Sequence, residues 1–122
     1  MSGISPTQRT LAYLREEGYH ADVVERFIRN PKVPGGGFRR DYMHFGDILA
    51  FSNNSTVMVQ SCGQSFSSHL KDLLANPHVP LWLAGPRKLI LIGWRKLVKK
   101  RGSKQRVWTP RIREITIKDF RA

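Results

Sequence analysis

Residues 88–96 read KLILIGWRK. A short run this apolar, bounded by cations, reads as a strand, and the rest of the chain must supply its partners. Residues 106–117 supply one, a last strand paired with the first across a basic turn at 99–104. Upstream, Ser5-Pro6-Thr7-Gln8 starts a helix, with Ser at the N-cap, Pro at the first helical position and Gln placed to close a capping box. That helix runs to about Glu17 and stops at Gly18. The Val- and Phe-rich segment 20–28 reads as a strand, 44–51 (HFGDILAF) as a second, and 56–62 as a third after the tight connection Asn53-Asn54-Ser55. Between the first two strands, 30–38 holds two prolines and three consecutive glycines, the pattern of a mobile loop, and ends on Arg39-Arg40. Phe66, Leu70, Leu73 and Leu74 recur at helical spacing, with Asn76-Pro77 closing the helix. The order α-β-β-β-α-β-β fits an α/β fold with a mixed sheet flanked by helices. At 122 residues, it forms a single domain over 1–122.

Charge narrows the partners. The chain carries 21 Lys and Arg against 9 Asp and Glu, a formal charge of +12. Cations that neutralise phosphates release condensed counterions, so a polyanion is the leading partner, ahead of anionic lipid or a merely soluble basic surface. The basic residues recur at Arg39, Arg40, Arg95, Lys96, Arg106, Arg111 and Arg113, interleaved with Trp94 and Trp108, as expected of charge built into folded surface. Cys62 is the single cysteine, which excludes an intrachain disulfide, and the four histidines lack zinc-ligand spacing. MSGISPTQRT has no secretory pattern and no apolar run reaches the roughly 18 residues of a membrane span, so the expected location is the cytoplasm.

One residue conflicts with its surroundings. Alternation along 44–51 puts Asp47 on the face of Leu49 and Phe51, inside a strand that otherwise reads as buried. A buried carboxylate needs a cation or hydrogen bonds. If the second and third strands form a hairpin, Gln60 lies close to Asp47, and a carboxylate with an amide oxygen suits Mg²⁺.

Helix, strand, Asp-bearing strand, tight turn, strand with a polar (E/Q)-x-(K) element, then helix: over 11–96 this order resembles the core of PD-(D/E)XK nucleases, which include Holliday-junction resolvases, restriction enzymes and phage or bacterial repair nucleases. The matching residues are Asp47 in FGDILAF and Gln60 in MVQSC, and Asp41 in RRDYMHFGD precedes them as in small resolvase-like members. The resemblance implies a restriction-endonuclease-like three-layer α/β/α fold and a site for Mg²⁺, with Mn²⁺ as substitute. It also implies a lysine two residues after the amide, where this chain has Cys62. Members without that lysine often take one from the following helix. Lys71 is the candidate here, with a solvated helical lysine equally consistent. A further acid completes such sites; Glu25, between Val23 and Phe27, is the first choice, ahead of Glu17 and Asp41, which read as a helix-end and a turn residue.

Other signals carry less. His20, His44, His69 and His78 read as packing or surface residues, Ser61-Cys62-Gly63 is no nucleophile elbow, and Gly35 to Gly37 lack the Lys and Ser/Thr of a phosphate loop. The resulting expectation is a Mg²⁺-dependent DNA endonuclease acting on duplex or branched DNA. Asp47, Gln60 and Glu25 hold the metal, Lys71 serves the attacking water, and Arg39, Arg40, Arg95 and Lys96 bind phosphates. Symmetric cutting of both strands would imply a homodimer. The competing expectation is a DNA- or RNA-binding protein that kept the fold and lost the chemistry, which Gln60 and Cys62 both favour.

Overall fold

The computed structural model describes residues 4–98, 101–102 and 104–120. Lys99, Lys100 and Ser103, part of the expected basic turn, lie outside them. Helix α1 (Pro6–Glu16) begins as its sequence requires: the Ser5 hydroxyl accepts from the Gln8 N–H at 3.2 Å, Pro6 fills the first turn, and Gly18 ends the helix at φ 91°.

The expected strand 20–28 is in fact two. β1 (His20–Val23) pairs antiparallel with β4 (Ile48–Phe51), whereas β2 (Arg26–Arg29) leaves the sheet and pairs with β3 (Gly37–Arg40) in a separate two-stranded ribbon. The break falls at Val24 and Glu25, where the Val24 N–H is taken by the Asp47 carbonyl at 2.9 Å. The expected mobile loop is a compact turn. Gly35 and Gly36 hold φ of 84° and 80°, conformations open to glycine, and let the Asn30 N–H close on the Gly36 carbonyl. Arg39 and Arg40 therefore stand on a paired strand, not a loop.

β4 pairs antiparallel with β5 (Thr56–Cys62), which runs parallel to β6 (Lys88–Val98), itself antiparallel to β7 (Arg106–Ile115). The five-stranded mixed sheet has the order β1-β4-β5-β6-β7. The parallel step needs a crossover, and it holds two helices where one was expected. α2 (Phe66–Ala75) closes at Asn76 in line with its sequence, but the Asn76 side chain then accepts from the His78 N–H at 2.8 Å and starts α3 (His78–Ala84). At the other end β7 stops at Ile115, and a 3-10 turn, Ile117–Phe120, replaces the expected last residues.

Two apolar clusters form on alternate residues of the same strands. Leu11 and Leu14 of α1 pack on Ile48, Ala50, Val57, Val59, Ile92 and Trp94, while Phe66, Leu73 and Val79 of α2 and α3 pack on Met58, Cys62, Leu89 and Leu91. Side chains alternate across a strand, so α1 and the α2–α3 pair cover opposite faces. This double cover is why 88–96 is so apolar.

α1 is fixed by one buried polar contact. The Trp94 Nε1–H donates at 2.9 Å to the hydroxyl of Thr10, fully buried, which itself donates to the Pro6 carbonyl at 2.8 Å. Thr10→Val keeps the shape and leaves the indole N–H unsatisfied. We expect a loss of about 1–3 kcal/mol in urea unfolding with an unchanged m-value; a smaller loss would mean that water replaces the hydroxyl.

Candidate functional site

Asp47 lies just before β4 and is 3% exposed. The β4–β5 register ends at Ile48↔Val59, and beyond it the Ser61 N–H is received at 3.0 Å by the Asp47 carboxylate instead of a backbone carbonyl. The second carboxylate oxygen accepts from the Ser61 hydroxyl and, at 3.0 Å, from Thr7 of α1. Asp47 thus joins α1 and β5 to the chain entering β4. Burial pushes its pKa up to about 6; the Ser61 bonds oppose this, nearby Asp41 adds to it, and Thr7 opposes it. The expected grouping of Asp47 with Leu49 and Phe51 fails because Asp47 precedes the regular pairing, and its carboxylate turns to Ser61 and Thr7.

Gln60, 5% exposed, lies on the α2 side of β5 and forms the floor of a cleft of about 640 Å³. Arg39, Arg40 and Asp41 line one wall, His69 and Asp72 of α2 the other. Burial raises the Asp41 pKa; Gln60 lowers it by hydrogen bonding, Glu25 raises it by charge and hydrogen bonding, and His69 lowers it by charge. Glu25 is held at 2.9 Å by Arg39. Glu25 thus raises Asp41 and Asp41 raises Asp47, but the Asp47 carboxylate faces Thr7 on the α1 side of the sheet, away from the Gln60 cleft.

The cleft rim is strained. Met43 and His44 have φ of 49° and 62° in a tight turn closed by the Phe45 N–H on the Tyr42 carbonyl, a geometry that normally selects Asn-Gly. Two contacts hold it. The Asn76 amide donates to the Met43 carbonyl at 3.0 Å, and Gly46 packs so closely on Met58 that an added Cβ would collide with it.

The expected site residues divide. Gln60 and Glu25 gather beside Asp41, which by sequence reads as a turn former. Lys71 is exposed and does not line the cleft; His69 and Asp72, three residues apart on one helical face, do so instead. That spacing is readable in the sequence, yet a lone His on an apolar helix reads first as packing. Cys62, at the lysine position of the resemblance, is buried against Phe66, and burial raises its pKa. Arg95 and Lys96 line a different recess. Among the described residues no three His, Cys, Asp or Glu side chains are gathered as a cation site. Comparison with protein-family models, curated proteins and solved structures gives no match.

Two outcomes are expected. Asp47 has a folded pKa above the ordinary 3.8, so its protonated form favours folding; that contribution is complete below about pH 4 and lost as pH rises through about 6. Relative to Asp47→Asn, the wild type should lose roughly 2–3 kcal/mol of stability from pH 4 to 7, and Asp47→Ala, which orphans the Ser61 N–H, should cost roughly 2–4 kcal/mol at pH 7. Urea unfolding at several pH values measures both. Replacing Met43-His44 by Asn-Gly should stabilise the fold by about 1–2 kcal/mol through relief of backbone strain; no gain would mean the Asn76 contact fully compensates the turn.

Proposed function

We propose that this chain binds nucleic acid and hydrolyses its phosphodiester bonds with the help of a divalent cation. The observation that carries the reading is Asp41, a carboxyl whose pKa burial raises, lining one cleft with Gln60, Arg39, Arg40 and His69 in a protein of net charge +12. Such a carboxylate, with Glu25 adding to its burden and an otherwise cationic molecule around it, is what a bound cation relieves. The donor set fits: carboxylate and amide oxygens are hard ligands suited to Mg²⁺ or Mn²⁺. Asp41 and Gln60, which line the cleft, would hold the ion, with Glu25 beside Asp41 and Asp47 outside the cleft, and when bound it would lower the pKa of a water and offset charge on the phosphate.

The chain's own residues supply the rest. Arg40 and Arg39 on the cleft wall attract and orient a phosphate, with Arg39 drawing on its pairing with Glu25 for position. His69, whose charge acts on Asp41, takes the place expected of Lys71, as a group that holds or moves a proton near the phosphate. The order of elements and the helices on both faces support the restriction-endonuclease-like comparison, with Asp47 just before β4 and Gln60 on β5, its partner strand. The preferred substrate under this reading is DNA, branched or duplex.

A second reading, binding without catalysis, is favoured by two observations. Cys62 is part of the core and Lys71 is exposed, so neither supplies the cation that the resemblance calls for. The oxygens of Asp47 also already accept three hydrogen bonds.

Mn²⁺ titration followed by melting, with cleavage of labelled duplex, flap and four-way-junction DNA, separates the readings. Under the first, Mn²⁺ raises the melting temperature more at pH 7.5 than at pH 5, because protons compete for the raised carboxylates, and Asp41→Asn and His69→Gln each lower cleavage by roughly 10–100-fold. Under the second, DNA binding falls by about 10³-fold between 50 and 200 mM salt, as expected for roughly six phosphate contacts, with no cleavage and no metal-dependent shift.

A further inference from the structure

The β6–β7 pairing outlasts the sheet. β5 leaves β6 at Cys62↔Gly93, whereas β7 stays paired through Lys96↔Trp108 to Val98↔Arg106. The projecting ribbon stands beside the first turn of α1, and between them lies a recess of about 370 Å³, lined among others by Arg9, Arg95, Lys96, Arg106 and Trp108. No carboxylate lines it, and none of these four cations forms an ion pair among the described residues. Within it Trp108 is 42% exposed, with the Arg9 guanidinium 4.0 Å and the Lys96 ammonium 5.2 Å from its ring centroid.

Trp94, also on this side, serves the core, since it is 7% exposed and its N–H is bound to Thr10. Trp108 instead meets solvent and the cations of Arg9 and Lys96. A half-exposed indole ringed by cations is chemically suited to one kind of occupant, a flat aromatic group carried on a phosphate chain. Bases in a duplex stack on one another, so a protein ring face is open only to an unpaired base. We propose that this recess binds an unpaired nucleotide, its base stacked on Trp108 and its flanking phosphates held by Arg9, Arg95, Lys96 and Arg106.

This rests on the nucleic-acid reading above and narrows its substrate class to strands with single-stranded character. The recess lies on the α1 side of the sheet and the Gln60 cleft on the α2 side, so the two are separate surfaces.

The test is binding measured in EDTA, so that it does not depend on cleavage. Fluorescence anisotropy compares an oligo(dT) of about twelve nucleotides with a blunt duplex of equal length. Stacking on one base predicts that Trp108→Ala weakens single-strand binding by roughly 5–100-fold and duplex binding by less than about twofold. Trp108→Phe should keep single-strand affinity within about threefold while abolishing the quenching of intrinsic tryptophan fluorescence by oligo(dT), which also covers the case of a poorly folded Ala variant. Equal losses on both substrates, no loss on the single strand, or quenching that survives in Trp108→Phe would overturn the proposal. A wild type that binds duplex but not oligo(dT) overturns this inference alone, and one that binds neither overturns the nucleic-acid reading with it.

Discussion

The Asp47 carboxylate accepts hydrogen bonds from the backbone and hydroxyl of Ser61 and from Thr7, and much of the molecule is organised around that junction. A carboxylate placed where the β4–β5 ladder ends closes the sheet without an orphaned N–H and locks the first turn of α1 against β5. The cost is electrostatic. Burial raises its pKa to about 6, so near neutral pH the fold carries an ionised group that it would rather have protonated. The same tension marks the residue as a structural tie, because the hydrogen bonds from Ser61 and Thr7 only partly offset its burial.

Around this tie the fold sets out two basic surfaces of different character. The cleft over Gln60 mixes Arg39 and Arg40 with Asp41, Asp72 and His69, charges of both signs in one concavity. The recess beside Trp108 is cationic and aromatic. The first holds one carboxyl, Asp41, whose pKa burial raises, whereas the second sets cations around a half-exposed ring with no carboxylate among its lining residues. The strained Met43-His44 turn forms the cleft rim and is pinned by Asn76, so the α2–α3 junction that the sequence hid also shapes the cleft.

Much of the fold was legible because it rests on local rules. Ser5 and Pro6 started α1 and Gly18 ended it, Asn53-Asn54-Ser55 marked the β4–β5 connection, and the apolar run at 88–96 marked β6. Two of the errors come from a local pattern overridden by a distant partner, and a third from a local side-chain hydrogen bond that restarts a helix. Segment 20–28 looks continuous but is cut where the Val24 N–H meets Asp47, a contact set by the sheet. Gly35 to Gly37 signal flexibility by composition, yet close a turn because β2 and β3 pair. α3 follows an Asn-Pro pair of the kind that normally ends a helix, and its start depends on the Asn76 side chain.

The same division holds for the site. Residue type, strand period and net charge are local or additive properties, and they were enough to bring a carboxylate and an amide onto neighbouring segments, to mark the chain as strongly cationic, and to show that position 62 cannot supply a cation. Which side each group faces is not a local property, and it emerged only on folding. Asp47 turned toward Thr7 and Ser61, Asp41 and Glu25 drew up to Gln60, and His69 entered the cleft while Lys71 stayed in solvent. Arg39 and Arg40 were parted from Arg95 and Lys96 in the same way. Those outcomes depend on where strand pairing stops and which helix face meets the sheet, and both are set by contacts between residues far apart in the chain.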